Sequence, residues 1–329
     1  MSAIVSRVTR RRSGFLNVLF GSPIIGPIAA LILASIFFAT QTDRFMTGTN
    51  WSLIVQQTMV VGTLAIGQTL IILTAGIDLS NGAVMALSSV IMTSMAVDYG
   101  MNPLLAILIG MLVAVAFGVL NGALVTTIRL PPFIVTLGTL NIAFALTRIY
   151  TTQTVVGLPP VMTFLGNTFT IGGTAITYGS VLVIILYFVA WFVLRTTPAG
   201  RYVYAVGDNP VAARLAGINT TKLLIGVYSV AALSYGIAGL LLAARTGVGD
   251  PQAGQTGNLD SITAVVLGGT SLFGGRGNIM GTLVGALIVG VFRNGLQLMG
   301  VASIYQVLIT GVLVIVAVSI DQLTHRGKE

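Results

Sequence analysis

Long apolar stretches separated by short polar segments run along almost the whole chain. A helix needs about 20 apolar residues to cross the hydrocarbon core of a bilayer. The eighth stretch is short and glycine-interrupted, so it fits either a broken helix or a complete crossing. The pattern predicts an all-α polytopic membrane protein with about ten transmembrane helices, at residues 22–41, 52–73, 79–97, 103–127, 132–151, 178–196, 222–244, 259–272, 277–298 and 303–321.

The composition agrees with a membrane protein and excludes several classes of site. Of 329 residues, 55% are hydrophobic and 7% are charged, whereas soluble domains carry about 25% charged residues. The chain has no cysteine, which excludes disulfides and thiolate metal sites. Its single histidine, His325, lies in a charged tail, which argues against histidine metal sites and Ser-His-Asp catalysis. We therefore predict no metal site, no catalytic residue and no enzymatic activity.

The distribution of basic residues predicts the orientation in the membrane. The net charge is +8, but the basic residues lie at the ends of apolar stretches, which favours an orientation signal over nucleic-acid binding. With the N-terminus inside, 12 of the 16 basic residues are cytoplasmic. This predicts a cytoplasmic N-terminus at 1–21, a membrane domain at 22–322 and a cytoplasmic tail at 323–329. Loop 152–177 is expected outside and loop 197–221 inside.

Ten spans divide into two sets of five. An odd number of spans in each half places the halves in opposite orientations, as in transporters with inverted repeats. Each half also contains a segment rich in glycine and polar residues, Thr74–Gly82 in the first and Gly268–Gly277 in the second. The sequence is thus compatible with an inverted repeat of five plus five helices.

The inner loop contains a predicted short helix. Asn209 is a good N-cap, Pro210 suits the first helical position and Gly217 suits the end. About two turns, roughly 10 Å, lie between them, and Ala212, Leu215 and Ala216 form a small apolar face. Such a helix either docks into a groove on a partner protein or connects two spans along the bilayer surface.

Four motifs are distributed over almost the whole chain, in the order and at the spacing found in one protein family. Together they resemble the permease subunits of bacterial monosaccharide ABC importers of the ribose, xylose and fructose type. The form of the inner loop, with Ser271-Leu272-Phe273-Gly274-Gly275-Arg276-Gly277, is most similar to the fructose-type members. The motifs are Gly76-Ile77-Asp78-Leu79-Ser80 with Gly82, Pro131-Pro132-Phe133-Ile134-Val135-Thr136-Leu137-Gly138, the loop from Gly207, and Leu259-Asp260 followed by Val265–Gly277.

The resemblance implies an importer with several subunits. It implies a permease homodimer or heterodimer in the bacterial inner membrane, with the translocation path of the solute along the subunit interface. It also implies a cytoplasmic double-cassette ATPase and an extracytoplasmic sugar-binding protein. The chain has no P-loop motif, so ATP and Mg²⁺ are expected on the ATPase and no cofactor in this chain. The residues that the resemblance assigns to ATPase coupling are Gly207, Asp208, Asn209, Pro210, Ala212, Ala213, Arg214, Leu215, Ala216 and Gly217.

Several polar residues of the predicted spans are candidates for function. Asp78, Ser80 and Asp260 are predicted as helix caps. An ion-coupled secondary sugar transporter is the alternative function, and it would need Asp78 or Asp260 as a titratable intramembrane carboxylate. Arg148 and Arg293 are expected to snorkel outward or to face a wet cavity. Candidate residues of the translocation path are Gln56, Gln57, Gln68, Asn121, Phe133, Thr136, Asn141, Phe144 and Tyr305.

Four residues depart from the family pattern. Asn81 replaces a common valine, and Asn258 replaces a common glutamate before Leu259-Asp260. Ser261 and Thr263 replace common alanines. These changes are predicted to lie in one region, where they could alter the solute preference.

Overall fold

The computed structural model describes residues 24–326, so the predicted N-terminal segment 1–21 and residues 327–329 of the tail lie outside the described part. Thirteen α-helices and one two-stranded hairpin follow one another in that part. The helices are α1 Ile25–Gln41, α2 Gly48–Leu73, α3 Asn81–Val97, α4 Pro103–Ala123, α5 Pro132–Tyr150, α6 Pro160–Thr163, α7 Tyr178–Thr196, α8 Pro198–Asp208, α9 Pro210–Leu215, α10 Thr220–Thr246, α11 Gly257–Leu267, α12 Ile279–Leu298 and α13 Ser303–Arg326, and the strands are β1 Thr168–Ile171 and β2 Thr174–Thr177.

Each of the ten predicted spans corresponds to a helix. Six helices are long and apolar enough to cross a membrane: α2, α4 with its π-helical continuation Leu124–Ile128, α5, α7, α10 and α12. Shorter apolar helices form α1, α3, α11 and the apolar part of α13. The 11 residues of α11 span about 16 Å, well below the roughly 30 Å of the hydrocarbon core. The eighth predicted span is therefore a broken helix.

The helices begin where the chain supplies capping groups. The Thr47 side chain accepts a hydrogen bond from the Asn50 amide at the start of α2. The Asn102 side chain accepts one from the Leu104 amide, with Pro103 at the first position of α4. These bonds satisfy amides that a helix leaves unpaired at its N-terminus.

The chain direction defines two ends of the helix bundle. The Ser52 hydroxyl near the start of α2 donates to the carbonyl of Ala175 in the hairpin. At the other end of α2, the Leu73 carbonyl accepts a hydrogen bond from the Gly275 amide at 3.0 Å. We call these the hairpin end and the α8–α9 end. Helix α7 follows β2 and leads into α8, so it runs in the same direction as α2, whereas α10 runs from α9 back towards the hairpin end.

The two halves of the chain make equivalent packing contacts. The contact of α2 with α12 corresponds to the contact of α10 with α4. In the same way, the contact of α3 with α4 corresponds to the contact of α11 with α12. Helix α3 also contacts α5 as α11 contacts α13. Because the equivalent helices α2 and α10 run in opposite directions, these contacts support the inverted repeat of five plus five helices.

The equivalence corrects the pairing of the two interruptions. The segment before α3, residues 74–80, corresponds to the segment before α11, residues 247–256, and not to Gly268–Gly277, which follows α11. The predicted pairing was wrong because segment 268–277 is richer in glycine than segment 247–256 and therefore stands out in the sequence. We call residues 74–80 the first break and residues 247–256 the second break.

The predicted outer loop 152–177 contains more structure than a polar loop. It includes α6, a single tighter turn at Phe164–Gly166 and the β1–β2 hairpin. Gly172 and Gly173 form the hairpin turn with φ angles of 56° and 82°, which glycine adopts without steric cost. The hairpin pairs Phe169 with Ile176 in antiparallel register.

Candidate functional site

The first break is closed by a buried hydrogen-bond network around Asp78. One carboxylate oxygen of Asp78 accepts from the Ser80 amide at 2.7 Å and the Ser80 hydroxyl at 2.6 Å. The other carboxylate oxygen accepts from the Tyr235 hydroxyl of α10 at 3.2 Å. The Asn121 side-chain amide of α4 donates to the Ser80 hydroxyl oxygen at 3.2 Å. With Asp78 only 1% exposed, this network joins three helices where the main chain leaves helical structure.

The capping predictions for this segment need a correction. Ser80 occupies the N-cap position of α3, but its side chain makes no capping bond. Its hydroxyl donates to Asp78 instead. The Asp78 carboxylate stabilises the turn before α3 by accepting from the amide two residues ahead, as aspartates in turns do.

The N-termini of α3 and α11 meet at glycines. A Cβ atom placed on Gly82 would lie 2.3 Å from the Gly254 carbonyl oxygen, so only glycine fits there. The Asn81 side-chain amide donates to the Gln68 oxygen at 3.0 Å and to the Ser261 hydroxyl at 2.8 Å. Two departures from the family pattern, Asn81 and Ser261, are therefore direct partners across the junction of the two halves.

The second break leads to a charged pair. Asp260 lies in the first turn of α11 and contacts the Arg293 guanidinium of α12 at 3.3 Å. The Thr256 hydroxyl donates to the same carboxylate oxygen at 3.2 Å. The prediction of Asp260 as a helix cap is wrong, because Thr256 holds the N-cap position and Asp260 is an ion-pair partner. Its negative charge also suits the N-terminal turn of a helix.

Two cavities adjoin this pair. One of 440 Å³ lies between α11, α12 and α13, and one of 330 Å³ lies between α2, α10 and the second break. Thr256, Asp260 and Arg293 line both cavities. Arg293 therefore faces a cavity, which is one of the two alternatives predicted from the sequence, while Arg148 is exposed in the last turn of α5.

Three predicted path residues gather at the first break. Gln68 and Asn121 are buried and belong to the networks described above. The Thr136 hydroxyl donates to the Ile77 carbonyl of the first break at 3.1 Å. All three make structural hydrogen bonds in this protomer.

The other predicted path residues are spread over the molecule. Gln57 lines the smaller cavity, and the Gln56 amide donates to the Ser52 hydroxyl at 3.0 Å. Phe144 packs on the main hydrophobic core. The remaining three are exposed on the surface of the chain: Phe133, Asn141 and Tyr305.

The predicted short helix of the inner loop is present as α9. The Asn209 side chain accepts hydrogen bonds from the Val211 amide at 3.0 Å and the Ala212 amide at 2.9 Å. Gly217, with φ of 87°, ends the helix. The predicted N-cap at Asn209, the first helical position at Pro210 and the helix end at Gly217 are thus confirmed.

The surface of α9 is mostly free. Leu215 is 85% exposed and Val211 is 65% exposed, one turn apart on the same side. Ala212, Arg214 and Ala216 are exposed as well, and Ala213 is buried against the bundle. An exposed apolar face on a short, firmly capped helix suits binding to another surface.

Helix α8 was missed from the sequence. Thr197 and Pro198 form the same cap-and-proline pattern as Asn209 and Pro210, and the Thr197 hydroxyl accepts from the Gly200 amide at 3.2 Å. The predicted inner loop 197–221 therefore contains two helices, and the start of each has the same local signal in the sequence.

Helix α8 is joined to the bundle by backbone contacts. A Cβ on Gly207 would lie 1.8 Å from the Leu73 carbonyl oxygen and 2.6 Å from the Gly275 nitrogen. The Tyr204 hydroxyl donates to the Gly277 carbonyl at 3.1 Å, and burial raises the pKa of this hydroxyl, so it remains a neutral donor. The end of α2, the loop after α11 and α8 therefore share one contact, which we call the Gly207 joint.

The comparisons with known proteins agree with these features. The family described as branched-chain amino acid transport system / permease component matches residues 50–318. The fructose import permease protein FrcC of Rhizobium meliloti is 47% identical over 313 residues, which cover 93% of this chain and 87% of that protein. The ribose import permease protein RbsC of Escherichia coli (strain K12) is 41% identical over 300 residues, covering 89% and 92%.

The ribose import permease protein RbsC of Bacillus subtilis (strain 168) is 39% identical over 301 residues, covering 91% of this chain and 92% of that protein. No solved structure matches the chain. The resemblance drawn from the four motifs is confirmed by these matches, which extend over almost the whole sequence. The chain therefore belongs to the family of ABC-transporter permease subunits that includes the sugar import permeases.

Proposed function

We propose that this chain is the permease subunit of an ATP-driven importer that carries fructose, or a monosaccharide similar to it, into the bacterial cell. The observation that carries the proposal is the 47% identity to a fructose import permease over 93% of the chain. The ribose import permeases, at 41% and 39% identity, support the same class of solute. A neutral sugar suits a path that has many uncharged hydrogen-bonding groups and few charges.

The proposed assembly contains two permease subunits, a cytoplasmic double-cassette ATPase and an extracytoplasmic sugar-binding protein. The α8–α9 end and both termini face the cytoplasm, in accord with the distribution of basic residues. The ATPase binds the exposed face of α9. The path runs along the interface of the two permeases, where Phe133, Asn141 and Tyr305 are available on the surface. ATP and Mg²⁺ bind to the ATPase alone.

The transport function is tested by reconstitution. Proteoliposomes with the permease, its ATPase and its binding protein should accumulate labelled fructose when ATP is enclosed with the ATPase. Collapse of ion gradients at constant ATP should leave uptake unchanged. Fructose uptake by the permease alone, driven by a proton gradient, would contradict the proposal and favour the ion-coupled alternative.

The orientation is tested by cysteine labelling, since the chain has no cysteine of its own. Cysteines replacing Thr42 or Thr163 should react with an impermeant thiol reagent added outside intact cells. A cysteine replacing Asn219 should react only after the membrane is opened. Labelling at position 219 from outside would reverse the proposed orientation.

The ATPase contact is tested on α9. Ala212→Trp places a bulky ring on the exposed face and should reduce co-purification of the ATPase and abolish stimulated uptake, because overpacked interfaces are destabilised. Arg214→Gln should have a milder, salt-dependent effect. If α9 rests on lipid instead, tryptophan is favourable there, and normal ATPase recovery with Ala212→Trp would contradict the proposed contact.

A further inference from the structure

The ion pair of Asp260 and Arg293 is exceptional in the described part of the chain, residues 24–326. It is the one salt bridge found there. The Asp260 side chain is 5% exposed, while the Arg293 side chain is 44% exposed and borders both cavities. An arginine inside an apolar helix is costly when it faces lipid. Its position between two cavities indicates a functional reason for the charge.

The walls around the pair offer further groups that bind hydroxyls. The Gln57 Oε1 atom is buried in the wall of the smaller cavity and has no hydrogen-bond partner within the described residues. Gln297 lies one turn after Arg293 on the same face of α12 and lines the larger cavity. Phe292 adds an aromatic surface. Ligand sites commonly combine apolar walls with a few such polar groups in a volume of about 300–1,000 Å³.

The chemistry of this set matches a neutral polyhydroxyl ligand. A carboxylate accepts hydrogen bonds from hydroxyls, a guanidinium donates several in a fixed plane, and an amide does both. The carboxylate and the Arg293 guanidinium neutralise each other, while Arg245 lines the smaller cavity as a second cation and offers further hydrogen-bond donors to hydroxyls. Rotation of the Gln57 side chain would bring its buried, unpaired oxygen into the smaller cavity, where it can accept a hydrogen bond from a hydroxyl without loss of an internal bond at that atom.

We propose that Asp260, Arg293 and Gln57 form a sugar-contact site inside each permease subunit, at the wall shared by the two cavities. Sugar hydroxyls bind the carboxylate and the guanidinium from either cavity. The proposal rests on the proposed sugar import. It adds solute contacts to the proposed interfacial path, at a cavity lined by α13, the helix that also carries Tyr305.

The site is tested by sugar protection of a reporter cysteine in the complete importer. Gln297→Cys places a thiol in the larger cavity, and its labelling by a small maleimide should slow at least threefold with saturating fructose. Gln153→Cys, exposed in the loop before α6, should label equally with and without fructose. Adding Asp260→Asn or Gln57→Leu to the reporter should remove the protection.

The variants separate a ligand contact from a structural role. Gln57→Leu breaks no internal bond to the Oε1 atom, so it should keep the normal yield of assembled complex while uptake falls at least fivefold. Asp98→Asn, a carboxylate at the end of α3 bonded to Ser94, is the matched control and should transport normally.

Two results would overturn the proposal. One is unchanged labelling of Gln297→Cys by fructose in a complex that imports fructose. The other is normal uptake by both Gln57→Leu and Arg293→Gln. A wild-type complex that imports no fructose would instead contradict the proposed function itself.

Discussion

The first and second breaks occupy equivalent places in the inverted repeat but have opposite characters. At the first, Asp78 is enclosed by hydrogen bonds from Ser80 and Tyr235 and is 1% exposed. At the second, Asp260 is paired with a half-exposed Arg293 beside two cavities. The carboxylate at the first break is therefore enclosed by uncharged hydrogen-bond donors, whereas the carboxylate at the second break is in an ion pair and borders cavities.

This contrast indicates that the two halves of the repeat have different roles. A fully bonded buried carboxylate fixes three helices, because each of its partners would be unsatisfied without it. A charged pair that borders cavities can exchange its partner for water or solute. The inverted repeat therefore supplies two equivalent positions; the side chains of the first make it structural, and those of the second form the proposed sugar-contact site.

Removing Asp78 should have the largest effect on stability. Asp78→Ala leaves the Ser80 amide, the Ser80 hydroxyl and the Tyr235 hydroxyl without their acceptor, and each buried unpaired group costs about 1–3 kcal/mol. We expect a greatly reduced yield of folded protein and a lowered melting temperature in detergent. Asp260→Ala should lower the melting temperature less, because water in the cavities can solvate Arg293, and should act mainly on transport.

The measurement is the thermal unfolding of both variants beside the wild type, with uptake assayed in parallel. Equal losses of stability in Asp78→Ala and Asp260→Ala would contradict the contrast between the breaks. A stable Asp78→Ala that fails only in transport would place the first break among the solute contacts.

Crowding the junction of the two breaks should have an intermediate effect. Gly82→Ala puts a Cβ atom 2.3 Å from the Gly254 carbonyl, and overpacking of this kind costs about 1–3 kcal/mol. Gly226→Ala in α10 is the matched control, since nothing lies within 4 Å of its added Cβ. Thermal unfolding should separate the two variants clearly, and equal stability would show that the helix N-termini do not meet closely.

The smallest effect is expected for the bond across the junction. Asn81→Val leaves the Ser261 and Gln68 oxygens without the donor that they share, at about 1 kcal/mol for each acceptor, and Ser261→Ala leaves Asn81 with one acceptor fewer, at about 1 kcal/mol. The double variant restores the common family residues and should be more stable than the sum of the single losses predicts. Strict additivity in a double-mutant cycle would indicate that the two residues do not interact.

Features that depend on local sequence were predictable. The lengths of the apolar stretches gave ten helices, and the order Asn209, Pro210 and Gly217 gave the ends of α9. Both depend on residues within one or two turns of each other, as caps and hydrophobic spans do. The hairpin in segment 152–177 and helix α8 also have local signals, since a glycine pair such as Gly172-Gly173 is typical of a hairpin turn and Thr197-Pro198 is typical of a helix start.

Features that depend on tertiary contact were not predictable from the sequence. Asp260 and Arg293 are far apart in the chain, and only the packing of α11 on α12 makes them a pair. Capping was the reasonable local explanation for Asp260, since an acidic residue near a helix start is commonly a cap. The contact of Asn81 with Ser261 is likewise created by the meeting of the two halves.

The Gly207 joint has a consequence for the timing of a transport cycle. Backbone touches backbone there: Gly207 lies against the Leu73 carbonyl, which also bonds the Gly275 amide. Side chains can change rotamer and absorb a displacement, but a backbone contact in a close-packed interior cannot. A push on α9 would therefore reach the ends of α2 and of the loop after α11 in the same instant. Under the proposed ATPase docking, the end of α2 and the loop after α11 would move together, leaving no intermediate in which one of these two segments has moved and the other has not.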